Sequence, residues 1–303
     1  MILTVTPNPA IDVTYRVAAL EPGETHRVQA PASRAGGKGL NVARVIAQTG
    51  GAAFALTTAG GASGLRLAED LEADALPSEL VPVAAATRSS IAIVDEAAGE
   101  TTIFNEAGEP LGTAEWKALH DAAERLAIPA ATIVGSGSLP TDAPDGFYAE
   151  LVAIARRRGV PSVIDATGRA LLLAAEAGAT VLKPNRRELA DTVGADDPVA
   201  GARTLLDAGA GLVLVSLGAE GMLAVATGAE PVGVRLAQPL SGNATGAGDA
   251  AVAAVASLLA EGVDDPERLL RRATAWSAAA VLAPLAGELD AAYPEFEARL
   301  VTL

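Results

Sequence analysis

The chain has 303 residues, half of them hydrophobic and 3% aromatic, no cysteine, and a formal net charge of −15. That length suits one large α/β domain or two small ones, with a core built from Ala, Val and Leu. The charge argues against nucleic acid as a partner, because no basic field displaces counterions from phosphates; the missing cysteines exclude disulfides and thiolate metal sites; and no apolar run of about 18 residues marks a membrane span.

Taken in chain order, "MILTVTPNPAID" lacks the basic n-region of a signal peptide and its apolar run stops at Pro7, so the expectation is a cytoplasmic protein. Strands are predicted at residues 2–6, 12–17 and 26–31, the last two separated by the turn-rich "AALEPGET". A helix should begin at the glycines of "AGGKGLNVARVIAQTG", with apolar residues at 40, 42, 43, 45, 46 and 47 on one face and Gly50 ending it. Residues 89–108 read as a hairpin around an acidic, Gly-containing turn.

From residue 113 helices and strands alternate. Helix 113–127 precedes "ATIVGS", 145–158 precedes "SVIDAT", 170–177 precedes "TVLKPN" and 198–208 precedes "GLVLVSLG". The strand runs are apolar and β-branched without alternation, as expected where both faces are covered. The pattern implies an α/β fold with a mostly parallel sheet and right-handed crossovers. Ligands of such sheets sit beyond the strands' carboxyl ends, where "GSGSLP", "DATG", "KPNRRE" and "SLGAEG" fall, so Ser138 and Asp165 belong to that edge. With no Pro/Ser linker dividing the chain, residues 1–303 read as one domain, and strands from about 12–31 and 89–104 as a small accessory sheet or lid.

Three loops carry the candidate chemistry. In "NATGAGDAAVAAVASLLAEG" (243–262) a glycine turn meets a helix N-terminus, which attracts anions through unpaired N–H groups and the helix dipole. Asp249 lies within one turn of that anion site, placed to take a proton from a hydroxyl attacking a phosphate. An Asp stabilising the helix start is the competing reading. A dinucleotide fingerprint fails on spacing (Gly246, Gly248, then Ala251), and a Walker A loop fails because no GK[ST] follows. In "AGGKGLNVAR" (35–44) Lys38 is the charge within "GGKG", and Asn41 stands one turn on; a tight turn with an exposed lysine is the alternative. In "KPNRREL" (183–189) Pro184 stands at a helix start, and Asn185 and Glu188, three apart, suit a hydrated Mg²⁺ or a capping box. Only three lysines occur, and Lys38 and Lys183 fall in two of these motifs. Arg88 in "ATRSSIA" opens a strand of the lid, a place from which an arginine binds phosphate bidentately or simply aids solubility. His26 and His120 are isolated, so no histidine catalysis or metal cluster is expected.

These motifs, in this order, resemble the ribokinase-like (PfkB) carbohydrate kinases, from "TVTPNPAID" to "GAGDA". "GGKGLNVAR" and "NATGAGDA" match the two family signatures. "TR" at 87–88, "SGSLP" at 136–140 and "KPNRREL" resemble the hexose-phosphate branch, which includes 1-phosphofructokinase and tagatose-6-phosphate kinase.

The resemblance implies a ribokinase-like three-layer sandwich with a small β-sheet lid, and ATP-dependent, Mg²⁺-requiring transfer of the γ-phosphoryl group to a sugar hydroxyl. It implies Asp249 as general base and Gly246, Ala247 and Gly248 as the anion hole. Asp12, Gly37, Lys38, Asn41, Asn105 and Ser138 match sugar-side positions, and Arg88, with Lys38 as a second candidate, would hold the phosphate already on the substrate. Lys183, Asn185, Ser216, Gly218, Glu220, Gly221 and Asn243 match the nucleotide side, with Asn185 and Glu188 organising Mg²⁺. The chain departs from many relatives at Ser89–Ser90 after "TR", at Ala250 after "GAGD" and in "NEAGEP".

Fructose 1-phosphate is the expected acceptor, with tagatose 6-phosphate and fructose 6-phosphate as rivals. A ribokinase-like sugar or nucleoside kinase and a non-catalytic sugar-phosphate sensor are the further alternatives. A homodimer formed through the lid is the expected assembly, since alternating strands would leave an apolar face needing cover.

Overall fold

Runs such as "ILTVT", "TIVGS" and "LVLVS" become the middle of the molecule because helices cover both of their faces. In the computed structural model, which describes residues 1–240 and 242–303, the first half contains β1 (Ile2–Thr6), β2 (Ala10–Val17), β3 (Ala32–Gly36), α1 (Lys38–Gln48), β4 (Ala53–Ala59), α2 (Gly61–Ala73), β5 (Ser78–Pro82), β6 (Arg88–Asp95) and β7 (Glu100–Asn105). The alternating part follows as α3 (Thr113–Leu126), β8 (Thr132–Ser136), α4 (Phe147–Arg158), β9 (Ser162–Asp165), α5 (Gly168–Glu176), β10 (Val181–Leu182), α6 (Arg186–Val193), α7 (Pro198–Ala208) and β11 (Leu212–Ser216). The chain closes with β12 (Met222–Ala226), β13 (Val232–Leu236), α8 (Ala247–Ala260), α9 (Pro266–Val281) and β14 (Leu300–Thr302).

The large sheet has the order β14-β13-β12-β11-β10-β9-β8-β1-β4-β5. Pairing is parallel from β5 through β11 and antiparallel from β11 to β14. One face packs against α1, α2, α8 and α9, the other against α3 to α7, giving three layers and two apolar cores. Helix α8 is buried over ten residues, half of them alanines, because small side chains let it sit between the sheet, α1 and α9. Among the described residues, no helix is long and apolar enough to cross a membrane.

A second, four-stranded sheet has the order β3-β2-β6-β7. Its central β2–β6 pair is parallel and its two outer pairs are antiparallel. The register Asp12↔Ser90↔Asn105 and Ala10↔Arg88 puts the polar side chains of Asp12, Arg88, Ser90 and Asn105 on one face. The strand expected at 26–31 is not one: those residues are irregular, and the partner of β2 is Ala32–Gly36. "HRVQAP" has no core face to bury, with Val28 40% exposed, and His26 instead accepts a hydrogen bond from the Glu21 amide. The helix after "KPN" begins at Arg186, so Pro184 precedes the cap and does not open the helix.

Candidate active site

Where the small sheet overhangs the carboxyl edge of the large one lies a cavity of about 1220 Å³. Its position obeys the rule for parallel sheets: Ser138 follows β8, Asp165 ends β9, Lys183 follows β10 and Ser216 ends β11, and all four line it.

At the small-sheet end, Arg88 donates to the carbonyls of Glu106 (3.0 Å) and Asn8 (3.4 Å). Its Nε is buried without a partner, an unmet donor on a permanently charged group. Asn8 Nδ2 in turn donates to the Ala107 carbonyl and to Ser138 Oγ, at 2.9 and 3.2 Å. Asp12 leans over Gly36 so closely that a Cβ there would stand 2.1 Å from its carboxylate, which is why glycine is needed at that position. Burial pushes the Asp12 carboxyl up to about 6, against the pull of Arg88, Arg44 and Arg34. Ser90 Oγ donates to Asn105 Oδ1 at 2.7 Å, so Ser90 is tied to the neighbouring strand.

In the middle, Gly246 caps α8 in a left-handed conformation (φ 86°), and a Cβ on it would meet the Ala286 backbone at 2.9 Å. Both facts require glycine. No carbonyl or side chain among the described residues accepts from the amides of Gly248 and Asp249, so the turn offers free donors at a helix start. Asp249 is the third residue of α8 and its side chain makes no cap bond; its Oδ2 instead accepts from Asn41 Nδ2 at 2.8 Å. Asp249 thus makes no side-chain cap bond, although it lies in the first turn of α8. Burial pushes its carboxyl up to about 7; the nearby Lys38 charge, the Asn41 bond and Lys183 hold it down, while Asp165 pushes it further up.

Lys38 Nζ stands 3.2 Å from Asp165 Oδ2 and 3.6 Å from Glu188 Oε1, and Lys183 Nζ is 3.6 Å from Asp165 Oδ1. The lysine of "GGKG" is partly exposed but ion-paired inside the cavity. The capping box is present: Asn185 Oδ1 accepts from the Glu188 amide at 2.8 Å, and Glu188 Oε2 accepts from the Asn185 amide at 2.9 Å. That leaves Glu188 Oε1, not the Asn185 oxygen, directed at the cavity.

Of the residues singled out from sequence, Asp12, Gly37, Lys38, Asn41, Arg88, Asn105, Ser138, Lys183, Asn185, Glu188, Ser216, Gly218, Gly221 and Gly246–Asp249 share this one cavity. Glu220 and Asn243 do not line it. Glu220 is two-thirds exposed and pairs with Arg186, and Asn243 Oδ1 accepts from the Thr245 amide, shaping the turn from behind. Sequence reasoning missed the apolar end formed by Leu236, Leu240, Ala278 and Val281. Its side chains look like any core residues, and no motif marks them.

The model of the pfkB family carbohydrate kinases matches residues 6–291. The chain belongs to this family. It is 37% identical over 288 residues to a 1-phosphofructokinase of Xanthomonas campestris, covering 91% of this chain and 89% of the relative. It superposes on phosphofructokinase-2 of Escherichia coli in complex with fructose-6-phosphate with a TM-score of 0.88 at 31% identity, covering 98% of each chain. A ribokinase of Arabidopsis thaliana, solved with ribose and ATP, shares the fold at TM-score 0.72 and 21% identity, covering 97% of this chain and 98% of that one. The fold is thus ribokinase-like, and the protein is an enzyme of the carbohydrate-kinase type, a family that uses ATP.

Proposed function

We propose that this enzyme transfers the γ-phosphoryl group of ATP to a free hydroxyl of a hexose phosphate, with fructose 1-phosphate as acceptor and fructose 1,6-bisphosphate as product. The observation that carries the reading is one cavity lined both by Arg88 and by the free amides of the α8 turn, with the buried Asp249 carboxylate in its wall. Arg88 contributes a cation from the small sheet, and the free amides of the α8 turn with Lys183 contribute a second anion-binding group from the large-sheet side. A kinase acting on an unphosphorylated sugar has no use for the first of these. The 1-phosphofructokinase relative supports the choice of hexose.

In this mechanism Asp249 accepts the proton of the attacking hydroxyl. The α8 turn amides and the helix start take up charge developing on the transferred group. The small sheet acts as a lid that excludes water, and Asp12 and Asn105 orient the sugar. Glu188, through Oε1, would hold a hydrated Mg²⁺, a donor set that fits an ion which keeps most of its waters; when bound, it neutralises phosphate charge. The apolar end beside Leu236 and Val281 has the character expected for a nucleotide base.

The test is ATP turnover on a panel of fructose 1-phosphate, fructose 6-phosphate, tagatose 6-phosphate and free fructose. The expected kcat/KM is highest for fructose 1-phosphate and lower by a factor of at least about 10² for free fructose, the size of a lost charge-assisted contact. Equal turnover of free and phosphorylated sugar would remove the phosphate subsite from the reading.

We further propose that the lid pairs with a second copy. The lid face opposite the cavity carries Tyr15, Ile91, Ile93 and Phe104 in register, and Phe104 is 58% exposed. A patch of this kind is covered in stable assemblies. Phe104→Asp is expected to convert a dimer to a monomer in sedimentation; a wild-type chain already monomeric at micromolar concentration would refute the pairing.

A further inference from the structure

Asp165 has no part in the mechanism above, yet it is the most enclosed carboxylate of the cavity, its side chain 1% exposed at the end of β9. Its Oδ2 accepts from Lys38 Nζ at 3.2 Å and lies 3.5 Å from Ser136 Oγ on the neighbouring β8. Its Oδ1 has no hydrogen-bond partner and faces Lys183 Nζ at 3.6 Å. We propose that Asp165 is a positioning residue for phosphoryl transfer, whose carboxylate holds the ammonium groups of Lys38 and Lys183 in place around the transferred group. The inference rests on the kinase reading and deepens it.

The two lysines arrive from different crossovers, one at the first residue of α1 and one just past β10. Lysine is a point charge on a four-carbon stem, which holds no fixed direction unless something ties it. Lys183 is 3% exposed, and a Cβ on Gly248 would stand 3.4 Å from its Nζ, so the ammonium lies directly against the anion turn. Lys38 is 39% exposed and faces the cavity from the sugar-binding loop. Asp165 pairs with both ammoniums and Glu188 with Lys38 alone, so among the described residues Asp165 is the one carboxylate that ties the two lysines to each other. Stability does not account for the arrangement, since buried ion clusters seldom outperform well-packed apolar side chains, and one oxygen of this cluster is left short of a hydrogen bond. Without Asp165, the remaining acidic partner of Lys38 is Glu188 at 3.6 Å, and the ammonium would settle there, away from the transfer site.

The test compares Asp165→Asn in two backgrounds, the parent and Lys38→Met/Lys183→Met, on whichever phosphosugar the parent turns over. In the parent, kcat is expected to fall about 30-fold while the acceptor KM stays within about threefold, the signature of an interaction used in the transition state. Affinity for a non-hydrolysable ATP analogue, read by titration calorimetry, falls about tenfold. In the double-lysine background both quantities change by less than about twofold, because Asp165 acts only through the lysines. The double-lysine background leaves Asp165 buried without a cation and Glu188 Oε1 without Lys38, so thermal melts of all variants accompany the kinetics and only folded pairs are compared. If Asp165→Asn does not fold in the parent, the double background decides alone: unchanged kcat and affinity sustain the inference, and a further tenfold fall overturns it. An unchanged parent kcat, or a loss confined to acceptor KM, also overturns it. A parent that turns over no phosphosugar defeats the substrate reading, and the clamp is then judged on the titration.

Discussion

Asp249→Asn is expected to lower kcat by a factor of about 10³, within the range for loss of a general base, while leaving acceptor KM nearly unchanged. Asparagine keeps the size of the side chain and an oxygen that accepts from Asn41 Nδ2, so the geometry of the α8 turn survives and only the proton acceptor is lost. Burial pushes the Asp249 carboxyl up to about 7, which fixes the pH profile of the parent. The base works ionised, so kcat should fall tenfold per unit below about pH 7 and level off above it. Stability should move the other way. A carboxylate with its native value raised from 3.8 to about 7 costs nothing below the unfolded value. The cost grows as pH rises through that window and is complete above about 7, where three units correspond to about 4 kcal/mol. Asp249→Asn therefore raises Tm by several degrees at pH 8, and the advantage shrinks toward pH 4. A variant with parent-like turnover, or one less stable than the parent at pH 8, contradicts the assignment.

Much of this site was legible because its residues are ones that chemistry forbids elsewhere. Gly246 adopts a left-handed φ against the Ala286 backbone, and Gly36 lies under a carboxylate; no other residue fits, so the glycine motifs were visible in one dimension. The parallel sheet was legible from unbroken apolar runs between helices. What could not be read was contact between distant segments. Whether Asp249 caps its helix or points at Asn41, 208 positions away in the chain, depends on how α1 packs beside α8. Asp165 could be placed at the sheet edge, but its two lysines meet it only after several crossovers are wound. The strand β3, "ASRAG", has no β-branched residue to betray it; it is held by register with β2 and by Arg34, which reaches Glu288 at 2.9 Å and the Ala286 carbonyl at 3.2 Å. The "HRVQAP" segment has better strand composition and no sheet to join. Asn185 and Glu188 were readable both as a cap and as a metal pair, and one spacing serves both because each needs two side chains on the same helical turn.

Arg88→Ala is expected to raise KM for the phosphosugar by a factor of about 10², as loss of a bidentate charge-assisted contact requires, with kcat changed far less. Free fructose, which carries no phosphate, should lose almost nothing. The size of the effect follows from the surroundings. The protein carries a net charge of −15, so its long-range field repels a phosphorylated substrate and local cations must overcome it. Arg88 is partly buried, where charges interact more strongly than at an exposed site. Two of its nitrogens are already committed to the Glu106 and Asn8 carbonyls, which fixes the guanidinium plane and leaves the buried Nε without a partner. An arginine so braced loses little entropy when it takes up an anion. Its removal also takes away the cation that most strongly offsets burial of Asp12, so Asp12 should stay protonated to higher pH in the variant. The phosphosugar KM of Arg88→Ala should then depend on pH more steeply between about 6 and 8 than that of the parent. Arg88→Lys separates the two contributions: it restores charge beside Asp12 but not the planar fork, so the pH dependence should revert while most of the KM defect remains. Equal losses on phosphorylated and free fructose in Arg88→Ala would assign the residue to folding of the lid and not to the substrate's phosphate.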